Sequence, residues 1–170
     1  MKYYGSIPLF DNEHVYVTCS DKGISGLFFS FDELMLQTKG TVTLFEDHEY
    51  IKEATKQLHE YVVQARQRFD LPLEIVGTAF QQKVWTALKD ISYGEVISYK
   101  QLASMIGQPK AVRAVGQANR RNRLPIFLPC HRVIGASKDL TGYAGTQVHL
   151  KEKLLMLEGI QVANGKVVLV

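Results

Sequence analysis

The side chains with the most chemistry to offer stand together in "LPIFLPCHRVIG", positions 124–135. There a thiol, an imidazole and a guanidinium follow an apolar, proline-bearing run as Cys130, His131 and Arg132. A cysteine in such surroundings has two readings. It can be a small buried hydrophobe, the common fate of a free thiol. It can also be a nucleophile held in one pose, with the adjacent imidazole placed to take its proton. Pro125 and Pro129 each fix φ and remove a backbone donor, which stiffens the segment between them. That segment is too apolar for a surface loop and is expected inside the protein, with Cys130 at its end. His131 could still be an ordinary core histidine, and Glu158, 27 residues further on, the mere flank of a helix.

The elements that would position this segment lie just before it. "TAFQ" reads as a capping box with Thr78 as N-cap and Gln81 at the third helical position, opening a helix that turns Phe80, Val84, Trp85 and Leu88 to a core. "SYKQ" repeats the signal with Ser98 and Gln101. Leu102, Met105 and Ile106 form the expected buried stripe, and Gly107 the C-terminal stop. Only "QP" separates this helix from "KAVRAVGQANRR", with Pro109 near the permitted first position. Helix, glycine turn, helix is a helix-turn-helix pattern.

At 100° per residue the second helix sorts into Val112, Val115 and Asn119 on one side. Lys110, Arg113, Gln117, Arg120 and Arg121 fall on the other, with Ala111, Ala114, Gly116 and Ala118 between them. An amphipathic surface helix with a basic solvent face would look the same. A helix that reads base edges needs asparagine, glutamine or arginine at several contact positions. Small side chains permit close backbone approach with little base-edge code, so this helix is expected to hold DNA without regard to sequence. The lysines and arginines of 110–132 are expected to include phosphate contacts, which position without specifying.

The front of the chain reads differently. "HVYVTCS" and "GISGLFFSF" flank the turn-like "DKG" and predict a hairpin. "DHEYIKEATKQLHEYVVQARQRF" then places Ile51, Ala54, Leu58, Tyr61, Val62, Ala65 and Phe69 on one helical stripe, with Asp47 and Glu49 favourable at its N-terminus. The fold class is α+β: a small N-terminal sheet-plus-helix domain of structural role over 1–77, then a mainly helical domain over 78–170 with the helix-turn-helix.

Composition bounds the rest. Across 170 residues, 46% hydrophobic and 22% charged is ordinary globular composition. No apolar run approaches the ~18 residues of a membrane span. "MKYYGSIPLF" lacks the apolar core of a secretory signal, so a cytoplasmic protein is expected, with Cys19 and Cys130 as free thiols and Cys19 structural. Histidines and cysteines show no close spacing such as CxxC, so no metal and no cofactor is expected. Residues 1–77 carry 7 basic and 12 acidic side chains, a net −5, whereas residues 78–145 carry 10 basic and 3 acidic, a net +7. A basic middle behind an acidic front is the electrostatic footprint of a domain that meets polyanions.

"PCHRVIG", preceded by "SYKQLASMIG" and "KAVRAVGQANRRN" and followed by "GYAGT" and "LEG", resembles the O6-alkylguanine-DNA alkyltransferases from about Thr78 to Gly159. The resemblance implies a two-domain protein, a monomer on double-stranded DNA, that flips an alkylated guanine (and O4-alkylthymine) from the duplex. It would transfer the alkyl group irreversibly to a cysteine. By the same resemblance Cys130 is the acceptor, His131 the base and Glu158 the carboxylate that orients it. Tyr99 would push the target phosphate and meet the flipped base, Arg113 would fill the vacated stack, and Asn122 would hinge helix to active-site turn. Lys110, Ala111, Ala114, Gly116 and Arg120 would face DNA. Asn119, Val133, Tyr143, Ala144 and Gly145 would line the pocket. The family often has a larger apolar residue where Asn119 stands, and some members have serine where Ala144 stands.

Three rival functions share parts of this pattern. A sequence-specific regulator needs base-reading side chains where the alanines stand. A Cys-His hydrolase would turn over repeatedly at an open cleft. A lesion sensor that binds without accepting the group has no use for Cys130.

Overall fold

The computed structural model describes residues 1–140 and 148–168. The chain forms two compact units, Met1–Val76 and Gly77–Val170.

In the first unit, β1 (Lys2–Pro8), β2 (His14–Ser20), β3 (Gly23–Phe28) and β4 (Val42–Leu44) make one sheet in the order β3-β2-β1-β4. β1 to β3 run antiparallel, and β4 joins β1 in parallel. The predicted hairpin is β2–β3. Between β3 and β4 lies a helix that the hydrophobic periodicity did not reveal, α1 (Phe31–Thr38). Its signal was nonetheless present: Ser30 accepts from Glu33 N at 3.1 Å, and the Glu33 carboxylate accepts from Phe29 N at 3.2 Å.

α2 (Glu49–Val62) buries Ile51, Ala54, Leu58 and Tyr61 as its stripe predicts, but it stops well short of Phe69. Gln64 takes a left-handed φ of 63° and Ala65 N reaches back to Glu60 O at 2.7 Å, a Schellman-type ending. Ala65 is therefore exposed. Phe69 returns on an irregular segment to lie 5.3 Å from the Tyr61 ring. The buried Gln57 holds that segment: its amide donates to Asp70 O at 2.9 Å and accepts from Asp70 N at 2.8 Å.

In the second unit, α3 (Ala79–Leu88) and α4 (Tyr99–Met105) both open on the expected capping boxes, with Thr78 and Ser98 as N-caps. α5 (Val112–Arg120) begins later than its sequence pattern suggests, because Pro109 and Lys110 lie in the turn and Ala111 is an N-cap without a side-chain bond. Gly107, at φ 74°, makes the turn after α4. α4 is short and packs between α3 and α5, so its buried face is Leu102, Ala103 and Ile106. Met105, expected inside, is 46% exposed. Trp85 on α3 ties to α5 by donating from its indole to Ala118 O at 2.7 Å.

The segment after α5 is buried from Leu124 to Ile134. It passes through a 3-10 turn (Cys130–Arg132) into β6 (Val133–Ile134), which pairs in parallel with β5 (Ile97–Ser98). α6 (Val148–Leu157) packs on that turn. A hairpin of β7 (Gln161–Ala163) and β8 (Lys166–Val168) follows, and its Val167 joins Ile134, Leu140 and Leu155 in one apolar cluster.

Gln57 gives the first testable consequence. Gln57→Ala leaves the Asp70 amide and carbonyl without their side-chain partner, at a cost of about 1–3 kcal/mol. Urea unfolding of the full chain should show the loss, and an unchanged midpoint would mean that Asp70 finds other partners.

Candidate active site and DNA-facing helix

Asn122 sets the course of the chain beyond α5. Its side-chain oxygen accepts from Leu124 N at 2.9 Å, and its amide donates to Leu128 O at 2.8 Å. A tight loop closes between these bonds, with Leu128 N on Leu124 O at 2.8 Å and Ile126 at a φ of 74°. A β-branched residue in that region is strained, and such strain persists only where its surroundings over-determine it. Here the two prolines and the Asn122 bonds do so. Cys130 emerges at the start of the 3-10 turn, buried, with its own N–H on Leu128 O at 2.7 Å.

The turn places His131 and Arg132 on one carboxylate. Glu158 follows α6, and its N–H bonds Leu154 O at 3.1 Å. Gly159, at a φ of 86°, ends the helix so that the side chain is pinned beneath the turn. His131 Nε2 lies 2.7 Å from Glu158 Oε2. Arg132 grips the same carboxylate with two donors, Nε to Oε1 at 2.8 Å and Nη2 to Oε2 at 3.1 Å. Its Nη1 donates to Ile91 O at 2.6 Å, and its guanidinium lies 5.8 Å from the Tyr93 ring centroid. Gly94 N adds a bond to Glu158 Oε1 at 3.3 Å.

Burial alone would raise the Glu158 pKa, but His131 and Arg132 outweigh it and hold the carboxyl at about 2. Burial lowers that of His131, with Glu158 opposing. A neutral imidazole facing an ionised carboxylate must donate from Nε2, which makes Nδ1 the basic nitrogen. Burial pushes the Cys130 thiol up to about 11, against a hydrogen bond from Asn122 and the positive charge of Lys151. Cys130 therefore rests as a thiol, with a neutral imidazole as its neighbour in sequence.

Cys130, His131, Glu158 and Asn122 thus converge on one place, together with Asn119, whose amide meets Cys130 O at 3.4 Å. Near this place Tyr99, first residue of α4, has its pKa raised by burial and by the Cys130 charge, with Asn119 opposing. Val133 is fully buried in β6. Along α5 and the turn before it, Lys110, Arg113, Ala114 and Arg120 are exposed, while Ala111 and Gly116 are half-buried. A Cβ built on Gly116 would lie at an ordinary 3.8 Å from the Tyr99 ring, so internal packing does not demand the glycine. Tyr143, Ala144 and Gly145 lie outside the described residues.

Two site residues escaped the sequence reading. Arg132 stood in the run expected to include phosphate contacts, yet it is buried with its donors engaged by Glu158 and Ile91. Lys151, on α6, is also fully buried and donates to Val133 O at 2.7 Å. The signal for Lys151 was its place on the apolar stripe of Leu150, Leu154 and Leu155, two helical turns before Glu158.

The carboxylate makes stability depend on acid. Its folded pKa of about 2 lies below the ordinary 4.5, so its stabilisation is whole above pH 4.5 and is lost as pH falls towards 2. Between these limits the wild type should lose on the order of 3 kcal/mol that Glu158→Gln, whatever its absolute stability, does not lose. Urea unfolding at a series of acid pH values measures the difference in slope, and parallel curves would contradict it.

Among known proteins, the family model for the DNA-binding domain of 6-O-methylguanine DNA methyltransferase matches residues 79–160. The constitutive methylated-DNA–protein-cysteine methyltransferase of Bacillus subtilis is 48% identical over 162 residues, covering 94% of this chain and 97% of that one. The methylated-DNA–protein-cysteine methyltransferase of Methanosarcina acetivorans is 52% identical over 114 residues, covering 67% of this chain and 72% of its own. Among solved structures, the O6-methylguanine methyltransferase of Mycobacterium tuberculosis superposes with a TM-score of 0.80 at 38% identity, covering 93% of each chain. A complex of the Mycobacterium tuberculosis protein with DNA superposes at 0.78 and 38% identity, covering 92% of each. At this identity over nearly the whole of both chains, the chain belongs to the methylated-DNA–protein-cysteine methyltransferases.

Proposed function

We propose that this protein repairs alkylated DNA by moving the O6-alkyl group of a flipped guanine onto Cys130, once per molecule. The observation that carries the proposal is Cys130 on a buried, over-determined turn beside the His131–Glu158 pair, joined to the end of α5 through Asn122. His131 Nδ1 takes the thiol proton as sulfur attacks the alkyl carbon, and Glu158 holds the ring. Asn122, bonded to the loop at Leu124 and Leu128 and lowering the thiol pKa, keeps the nucleophile aimed. Tyr99 offers a donor to the departing base, where negative charge develops. The product is a thioether, which no base in the site can hydrolyse, so Cys130 is not regenerated.

The reacting carbon lies inside a duplex, so the base must leave the stack, at a cost of a few kcal/mol. Arg113, exposed near the start of α5, fills the gap in this reading. Ala111, Ala114 and Gly116 bring backbone close to DNA, while Lys110 and Arg120 meet phosphates. DNA is then held by charge and shape with little sequence preference. A monomer suffices, since every proposed role falls within residues 77–170. O4-alkylthymine presents the same alkyl–oxygen bond and is a second substrate of the same displacement. No described helix is long and apolar enough to cross a membrane.

Mixing the protein with a methylated-guanine duplex should raise its intact mass by one methyl, mapped to Cys130 and not Cys19. Turnover beyond one equivalent, or label on Cys19, would overturn the proposal. Arg113→Ala should slow repair of duplex DNA by about tenfold or more while leaving reaction with free alkylguanine nearly unchanged, because only the duplex needs a stack held open. Equal losses on both substrates would remove Arg113 from that role.

A further inference from the structure

Among the described residues, the fully buried formal charges are Arg132, Glu158 and Lys151, and all three surround the turn that carries Cys130. Arg132 and Glu158 neutralise one another through two hydrogen bonds. Among the described residues no carboxylate lies within ion-pair distance of Lys151; its ammonium donates to Val133 O, three residues beyond the nucleophile, at 2.7 Å. Placing a lysine amine in such a site is costly unless an anion compensates it. The site therefore holds one positive charge in excess, and the group beside it that can become negative is the Cys130 thiol.

We propose that Lys151 is the counter-charge of the Cys130 thiolate, a positioning residue that acts through the sulfur rather than on the substrate. The inference rests on alkyl transfer to Cys130 as the reaction. In that reaction the Cys130 S–H proton passes to His131, and the sulfur electron pair forms the S–C bond. The C–O6 bond breaks with its pair on guanine, which takes up a proton as it leaves. Lys151 stabilises the thiolate in the first step. It also disfavours the imidazolium, which helps His131 hand its proton on. Arg132 and Glu158 face the same turn as a balanced pair, and Tyr99 of α4, whose pKa burial and the Cys130 charge both raise, stays neutral, so neither changes the excess charge. Consistent with this geometry, burial pushes the Lys151 amine down to about 8, with the Cys130 charge opposing.

The test separates charge from structure. Lys151→Gln keeps a donor for Val133 O without the charge, and Lys151→Arg keeps both. Single-turnover transfer from a methylated-guanine duplex, and iodoacetamide trapping of Cys130 without DNA, are each followed against pH. In the Gln variant the thiolate should appear about one pH unit higher, giving roughly tenfold slower reaction near neutrality and convergence with wild type at alkaline pH. The Arg variant should stay close to wild type. A Gln variant slowed equally at every pH, or not slowed at all, overturns the proposal. Should the variants fail to fold, wild-type protein with carbon-13 at its lysine ε positions gives the answer. Charge coupling is reciprocal, so methylating Cys130 should lower the titration midpoint of Lys151. An unchanged midpoint overturns the counter-charge. If no methyl moves from DNA to Cys130, the repair function fails, while the iodoacetamide profile still decides the role of Lys151.

Discussion

The second unit depends on one carboxylate. Glu158 is buried and ionised, and each such charge costs several kcal/mol to remove from water unless its bonds are made. Arg132 with two donors, His131 with Nε2 and Gly94 with its amide make them. These partners come from the 3-10 turn and the loop after α3, and the acceptor comes from the end of α6. Satisfying one anion therefore fixes three elements at once. Cys130 inherits its pose because it is the first residue of the turn that Glu158 holds.

The other end of that turn is governed by backbone rather than charge. Asn122 caps the loop 124–128 with two bonds, the prolines remove alternatives, and Ile126 accepts a left-handed φ. Strain confined between fixed points resists relaxation, so the sulfur is held on both sides. α5 ends directly before this joint and keeps its exposed side basic and its neighbouring positions small. The basic helix and the buried thiol are thus neighbours by covalent connection.

Two kinds of positive charge serve different ends in this unit. Lys110, Arg113 and Arg120 are exposed and solvated, where charge steers and positions at little cost. Arg132 and Lys151 are buried, where the same charge is costly and reshapes the proton affinities of Cys130, His131 and Glu158. Counting basic residues along the chain cannot tell these apart.

Local rules were sufficient wherever the information lay within a few residues. The capping boxes at Thr78 and Ser98, the β2–β3 hairpin, the buried proline-flanked segment and the PCHR resemblance could all be read without a structure. Even α1 was marked by Ser30 and Glu33, although hydrophobic periodicity passed over it. The stripe that overran α2 failed because Gln57 reaches 13 residues ahead to Asp70 and draws the chain away from the helix axis. Met105 is exposed because the face that α4 buries is chosen by α3 and α5. What only the tertiary structure decided is which charges share the interior. Whether Arg132 meets a phosphate or Glu158, and whether Lys151 meets water or the Val133 carbonyl, depends on groups far apart in sequence. Electrostatics in a buried site follows distance in space, and a sequence records only distance along the chain.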